Sequence, residues 1–118
     1  MIEIKFKPKE LELSVTGHAG AAEKGKDIVC SAVSALFYAL VQSVIESSEM
    51  LEETPEIVVE DGNGLVSCKP KEGFLPTLQR TYWTILNGYE VLATEYSEYI
   101  NFTMEVEFVK HTGIEPEE

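Results

Sequence analysis

A histidine and a cysteine, His18 and Cys30, carry the most pointed chemistry in this chain. His18 lies in G-H-A-G, residues 17–20, where a short strand closes. Cys30 lies in D-I-V-C-S-A-V-S-A-L, residues 27–36, where a long apolar helix opens. A thiol attacks as its thiolate, and a helix N-terminus favours that anion through its unpaired N–H groups and macrodipole. An imidazole within hydrogen-bond reach can take the thiol proton and return it to a leaving amine. A helical cysteine is otherwise a small buried apolar residue. The first-turn position, the preceding glycine-rich loop and the upstream histidine point toward catalysis, with the structural reading still open beside it.

The neighbours extend this pair. Gly17, Ala19 and Gly20 are small, so the backbone around His18 can approach a substrate closely. Asp27, Cys30 and Ser34 are spaced i, i+3, i+7 and fall on one helix ridge. Asp27 reads as the helix N-cap, with a second possible role in orienting His18. Ser34 either bonds the thiolate or a substrate carbonyl, or bonds back to its own helix. Residues 17–26, including Gly25 and Lys26, read as a mobile, substrate-covering loop. Cys68 reads as structural, and His111 has no comparable setting. The two histidines and two cysteines show no metal-ligand spacing, and no metal or other cofactor is expected. The loop also lacks the spacing of a phosphate-binding loop.

The elements that must position these residues follow from periodicity. Ile2, Ile4 and Phe6, then Leu11, Leu13 and Val15, alternate with polar residues as two strands joined by a K-P-K-E turn. Residues 28–50 read as a helix with one stripe at Val29, Val33, Phe37, Leu40 and Val44. A second stripe, at Ile28, Ala32, Leu36 and Ala39, makes the apolar arc wide enough for substantial coverage. Residues 57–60 and 65–69 are strands around a D-G-N-G hairpin turn. A second helix from 73–76 onward carries Leu78, Tyr82 and Tyr89, and a final strand spans Ile100 to Phe108 by alternation. The order ββαββαβ implies an α+β fold in two layers, two helices on one face of a mostly antiparallel sheet. Residues 1–111 form the single domain expected, and the acidic tail, 112–118, is expected to be disordered.

Charge narrows the partners. The net charge of -12 argues against nucleic acid, which needs lysine and arginine to displace counterions. It would attract a basic protein or peptide, or serve solubility alone. No run is expected to reach the roughly 18 apolar residues of a membrane span, and no signal peptide is read at Met1. A cytoplasmic chain with reduced thiols is the expectation.

Gly17-His18 followed by D-I-V-C-S-A-V-S, residues 27–34, resembles the ribosomal-processing cysteine proteases of bacteria, the Prp (YsxB-like) family. The resemblance extends over the whole chain in length and element order. It implies a His18–Cys30 catalytic dyad, the backbone N–H groups of Cys30 and Val29 as oxyanion donors, and a lid over residues 19–26. It also implies a substrate: the N-terminal extension of a basic large-subunit ribosomal protein, an apolar and aromatic segment followed by a basic stretch. A homodimer is implied as well. Two other classes remain open from the residues alone: a non-catalytic module that captures a basic ribosomal protein, and a thiol redox sensor using Cys30.

Overall fold

The computed structural model describes residues 1–17 and 24–105, with side chains from residue 28 onward in the second stretch. Its elements are β1 (Ile2–Lys7), β2 (Glu12–Thr16), α1 (Lys24–Glu46), a 3-10 turn (Ser48–Met50), β3 (Glu56–Glu60), β4 (Asn63–Ser67), α2 (Leu75–Glu95) and β5 (Ile100–Met104). The sheet runs β3-β4-β2-β1-β5. Three neighbouring pairs are antiparallel and β1·β5 is parallel, so the sheet is mixed with an antiparallel majority. The order ββαββαβ and the two-layer α+β class agree with the periodicity.

Alternation decides which face is covered. Ile2, Ile4, Phe6, Leu13 and Val66 are buried beneath the helices, while Glu3, Lys5 and Lys7 face the open side. Val29, Val33, Phe37, Leu40 and Val44 form the buried stripe of α1, as the spacing predicts. Leu78, Tyr82, Leu86 and Tyr89 form that of α2. The helices meet closely at Gly88, where an added Cβ would stand 2.9 Å from Leu36. Tyr89 donates its buried hydroxyl to the Val33 carbonyl at 3.0 Å, which ties α2 to α1 one turn beyond Cys30. A buried polar group left without such a partner costs about 1–3 kcal/mol.

Four local expectations are corrected. First, α1 begins at Lys24, so Gly25 and Lys26 lie in its first turn rather than in a loop, and Asp27 is a helical residue rather than the N-cap. Adding a turn to an existing helix gains one bond per residue fixed, which outweighs the roughly 1 kcal/mol that Gly25 costs there. Second, α1 ends at Glu46, not near Met50: the Ser47 N–H bonds the Val44 carbonyl three residues back, at 3.0 Å, and the chain tightens into the 3-10 turn. Third, the wide arc of α1 is not covered all round: Ile28, Tyr38 and Ile45 are exposed. Fourth, Ile28–Glu46 does reach the length and apolar composition of a membrane span, with a mean hydropathy of 2.0. In the fold its inner stripe packs on α2 and the sheet, as in the core helix of a globular domain.

The turns hold two further features. Asp61 and Gly62 alone make the β3–β4 turn, with Gly62 at φ 73, and Asn63 and Gly64 belong to β4. In the β1–β2 turn Leu11 takes φ 47, a strained value for a leucine, and is held there by burial and by its N–H on the Pro8 carbonyl at 3.2 Å. Val106, Phe108 and the tail at 112–118 lie outside the described residues, as does the 18–23 segment of the expected lid.

Candidate active site

β2 ends at Thr16, and Gly17 turns the chain with φ 95. A side chain at 17 would collide with the Met1 carbonyl oxygen, so both the backbone angle and the space require glycine. The Gly17 N–H reaches the Gly62 carbonyl at 3.0 Å. The chain leading to His18 is thereby fixed against the β3–β4 turn. His18, Ala19 and Gly20 themselves lie outside the described residues.

A cavity of about 190 Å³ opens at this end of the sheet. Cys30, Ser34, Phe37 and Tyr38 form its α1 wall. Ile2, Val15, Gly17 and Gly64 form its base, and Val59, Glu60, Asp61, Gly62 and Asn63 close the far side. Cys30 is a free, half-buried thiol packed against the core edge, and Ser34 is exposed beside it. The fold therefore brings Cys30, Ser34 and Gly17 around one space. Gly64 makes room for the wall: a Cβ there would stand 2.8 Å from the Phe37 ring.

Two mechanistic expectations change with the helix start. Cys30 is in the second turn of α1, beyond the turn over which a helix end favours an anion. The N–H groups of Val29 and Cys30 fall past the four unpaired donors of that end, so they are committed to the helix rather than free for an oxyanion. Thiol activation then depends on a neighbouring base, not on the helix end. Asp27 stands one turn before Cys30 in the same helix.

Sequence reasoning missed the far wall. The D-G pair marked a hairpin, but only the sheet order places that turn against α1. Tyr38 and Val59 were also missed; both are about half exposed, at 55% and 50%, on opposite lips of the cavity.

Cys68 is different in kind. It lies just past β4, buried, and receives the Tyr82 hydroxyl at 3.7 Å. Burial raises its thiol above the ordinary range, against a smaller opposing effect of the Tyr82 bond. It lines a separate cavity with Glu10, Glu12, Glu52 and Glu53 at the other end of β4. Among the described residues no group of three or more histidine, cysteine or acidic side chains is arranged to hold a metal ion.

A two-layer α+β domain holds a half-buried free cysteine on a cavity at a strand end, a placement open to a thiol nucleophile. The family model described as Cysteine protease Prp matches residues 1–101, and the chain belongs to that family of cysteine proteases. It is 27% identical over 99 residues to the ribosomal processing cysteine protease Prp of Staphylococcus aureus, in two strains, covering 84% of this chain and 91% of the relative. The crystal structure of the S. aureus Prp with a covalently linked product peptide superposes with a TM-score of 0.70 at 24% identity. It covers 89% of this chain and all of that one. SMU.848 from Streptococcus mutans superposes with a TM-score of 0.64, also at 24% identity, over 87% of this chain and 90% of the other. These likenesses carry the fold; the family match carries the enzyme class.

Proposed function

We propose that this cysteine protease removes the N-terminal extension of a basic large-subunit ribosomal protein, in the cytoplasm, with Cys30 as nucleophile and His18 as its base. The observation that supports it is the placement of Cys30 on the cavity at the end of β2, next to the Gly17 that leads directly to His18. The cavity, about 190 Å³ and largely apolar at its base, is of the size that takes a single aromatic ring; an apolar cavity of roughly 150 Å³ holds benzene. An apolar or aromatic residue of the extension fits there. The relatives named for ribosomal processing, one solved with a covalently linked product peptide and also with a substrate peptide, support the same substrate.

The steps follow from the roles. His18 removes the Cys30 proton, the thiolate attacks the scissile carbonyl, and the C–N bond breaks as His18 returns the proton to the amine. Water then hydrolyses the thioester and regenerates the thiol. Ser34, exposed beside Cys30 on the cavity, is assigned to bond the thiolate or the substrate carbonyl. Asp27 is assigned to orient His18. The exposed outer stripe of α1, with Ile28 and Ile45, is assigned to a homodimer contact, which sedimentation at several concentrations tests.

Cleavage is tested by incubating the chain with a peptide of the extension plus the following basic stretch and weighing the products. Cys30→Ala should give no cleavage and His18→Ala little, because losing one member of such a pair removes most of the rate. Product from Cys30→Ala at the wild-type rate would remove the assignment.

A further inference from the structure

We propose that the free edge of β3 is a docking strand: an extended segment with two lysine or arginine residues four apart adds beside Glu56–Glu60 and leads its neighbouring residues into the Cys30 cavity. This rests on the peptidase reading above and names how its substrate is held. Among the described residues β3 is the outermost strand, paired on one side only, with β4. An unpaired strand edge is a row of unused N–H and C=O groups, and peptides commonly bind by adding to one. The position of this edge matters, because Val59 and Glu60 of the same strand line the cavity that Cys30 lines. A strand laid along β3 therefore runs into the site. The opposite edge, β5, lies four strands away.

Charge selects the occupant. The chain has no lysine, arginine or histidine between Lys26 and Lys69, and β3 with its turn carries Glu56, Glu60 and Asp61. Among the described residues none of these three acids has a cationic partner; Glu60 accepts only a long 3.5 Å contact from the Asn63 amide. Glu56 and Glu60 are four apart in one strand, so both project to the face opposite Ile57 and Val59. A second copy pairing antiparallel about Val58 would set Glu56 against Glu60 twice, and directly opposed like charges destabilise a strand pair. A basic strand with cations at i and i+4 meets both carboxylates, whereas cations at i and i+3 fall on opposite faces.

The test uses synthetic peptides with the same apolar segment and lysines at i, i+4 or at i, i+3. Binding is read by fluorescence anisotropy on the Cys30→Ala chain, and kcat and KM are read on the wild-type chain. The i, i+4 peptide should bind about fivefold more tightly, a ratio within reach of two exposed ion pairs. The double variant E56Q/E60Q should erase that preference, so that the two peptides show the same KM. N-methylation of the peptide at alternate residues should weaken binding at one parity only. Equal binding of the two peptides, or an unchanged preference in E56Q/E60Q, would overturn the docking strand while leaving cleavage intact. Tight, carboxylate-dependent binding without cleavage would uphold the docking strand and remove the peptidase reading instead. Dimerisation that grows when Glu56 and Glu60 are neutralised would assign the edge to a second copy and overturn the proposal.

Discussion

The N–H of Gly17 bonds the carbonyl of Gly62 at 3.0 Å, and this joins the end of β2 to the turn between β3 and β4. The two glycines lie far apart in sequence, and both have positive φ, 95 and 73. The contact fixes the residue before His18 against the wall facing Cys30. Gly17→Ala forces an L side chain into a left-handed angle and into the Met1 carbonyl. It should destabilise the fold by about 1–3 kcal/mol and lower kcat. Thermal denaturation and peptide cleavage check both. A variant with unchanged melting would show that the chain relaxes around residue 17.

Gly64 and Phe37 form the second such pair. The Phe37 ring fills the volume a Cβ at 64 would take, with ring atoms at 2.8, 3.0 and 3.2 Å from it. Phe37 also lines the cavity, so a displaced ring enters the substrate space. Gly64→Ala should cost about 1–3 kcal/mol by overpacking and raise KM more than it lowers kcat. The pairing with Phe37→Leu should recover part of the loss, as expected for residues in contact. A Phe37→Leu change that gives no recovery would place the damage elsewhere.

How much of this was legible depends on whether the signal was local. The buried stripe from Val29 to Val44 and the alternation of β1 and β5 are period patterns, and they fixed the element order and the two layers. Gly17, Cys30 and Ser34 were legible because they sit in short motifs. The start of α1 was not, since Gly25 reads as a breaker in a window and only the intact helix offsets its cost. Leu11 at φ 47 was invisible because its burial, not its type, holds it there. The far wall of the cavity was invisible because it depends on β4 inserting between β2 and β3, a long-range pairing. The acidic edge was hidden for the same reason: it becomes a surface only once β3 is outermost.

The two thiols should separate cleanly by reactivity. Cys30 is half-buried on an open cavity, while Cys68 is 5% exposed and its thiol is raised by burial. The thiolate is the reacting species, so burial and its raised thiol both hold Cys68 back. Iodoacetamide at neutral pH followed by peptide mapping should label Cys30 first, and Cys68 only when the protein is unfolded. Faster labelling of Cys68 in the native protein would contradict its placement under α2.

Stability should fall on the alkaline side, through Cys68, Tyr82 and Tyr89. Burial first, and then the neighbouring Cys68, raises Tyr82 above the ordinary phenol range; burial alone raises Tyr89. All three groups release their protons more readily when unfolded, near the ordinary values of 9.0 for the thiol and 10.0 for the phenols. Above pH 9 the unfolded chain therefore binds fewer protons than the folded one, and the free energy of unfolding must decrease as pH rises. Below that window the three groups are protonated in both states and contribute no slope. Each group contributes at most about 1.4 kcal/mol per pH unit while only its unfolded form is ionised. Tyr82→Phe removes the hydroxyl that faces Cys68 and should flatten the decline between about pH 10 and 11. Urea denaturation at a series of pH values, wild type against Tyr82→Phe, measures this directly. Parallel curves for the two proteins would mean that Tyr82 ionises as freely in the folded chain as in the unfolded one, against its position in the core.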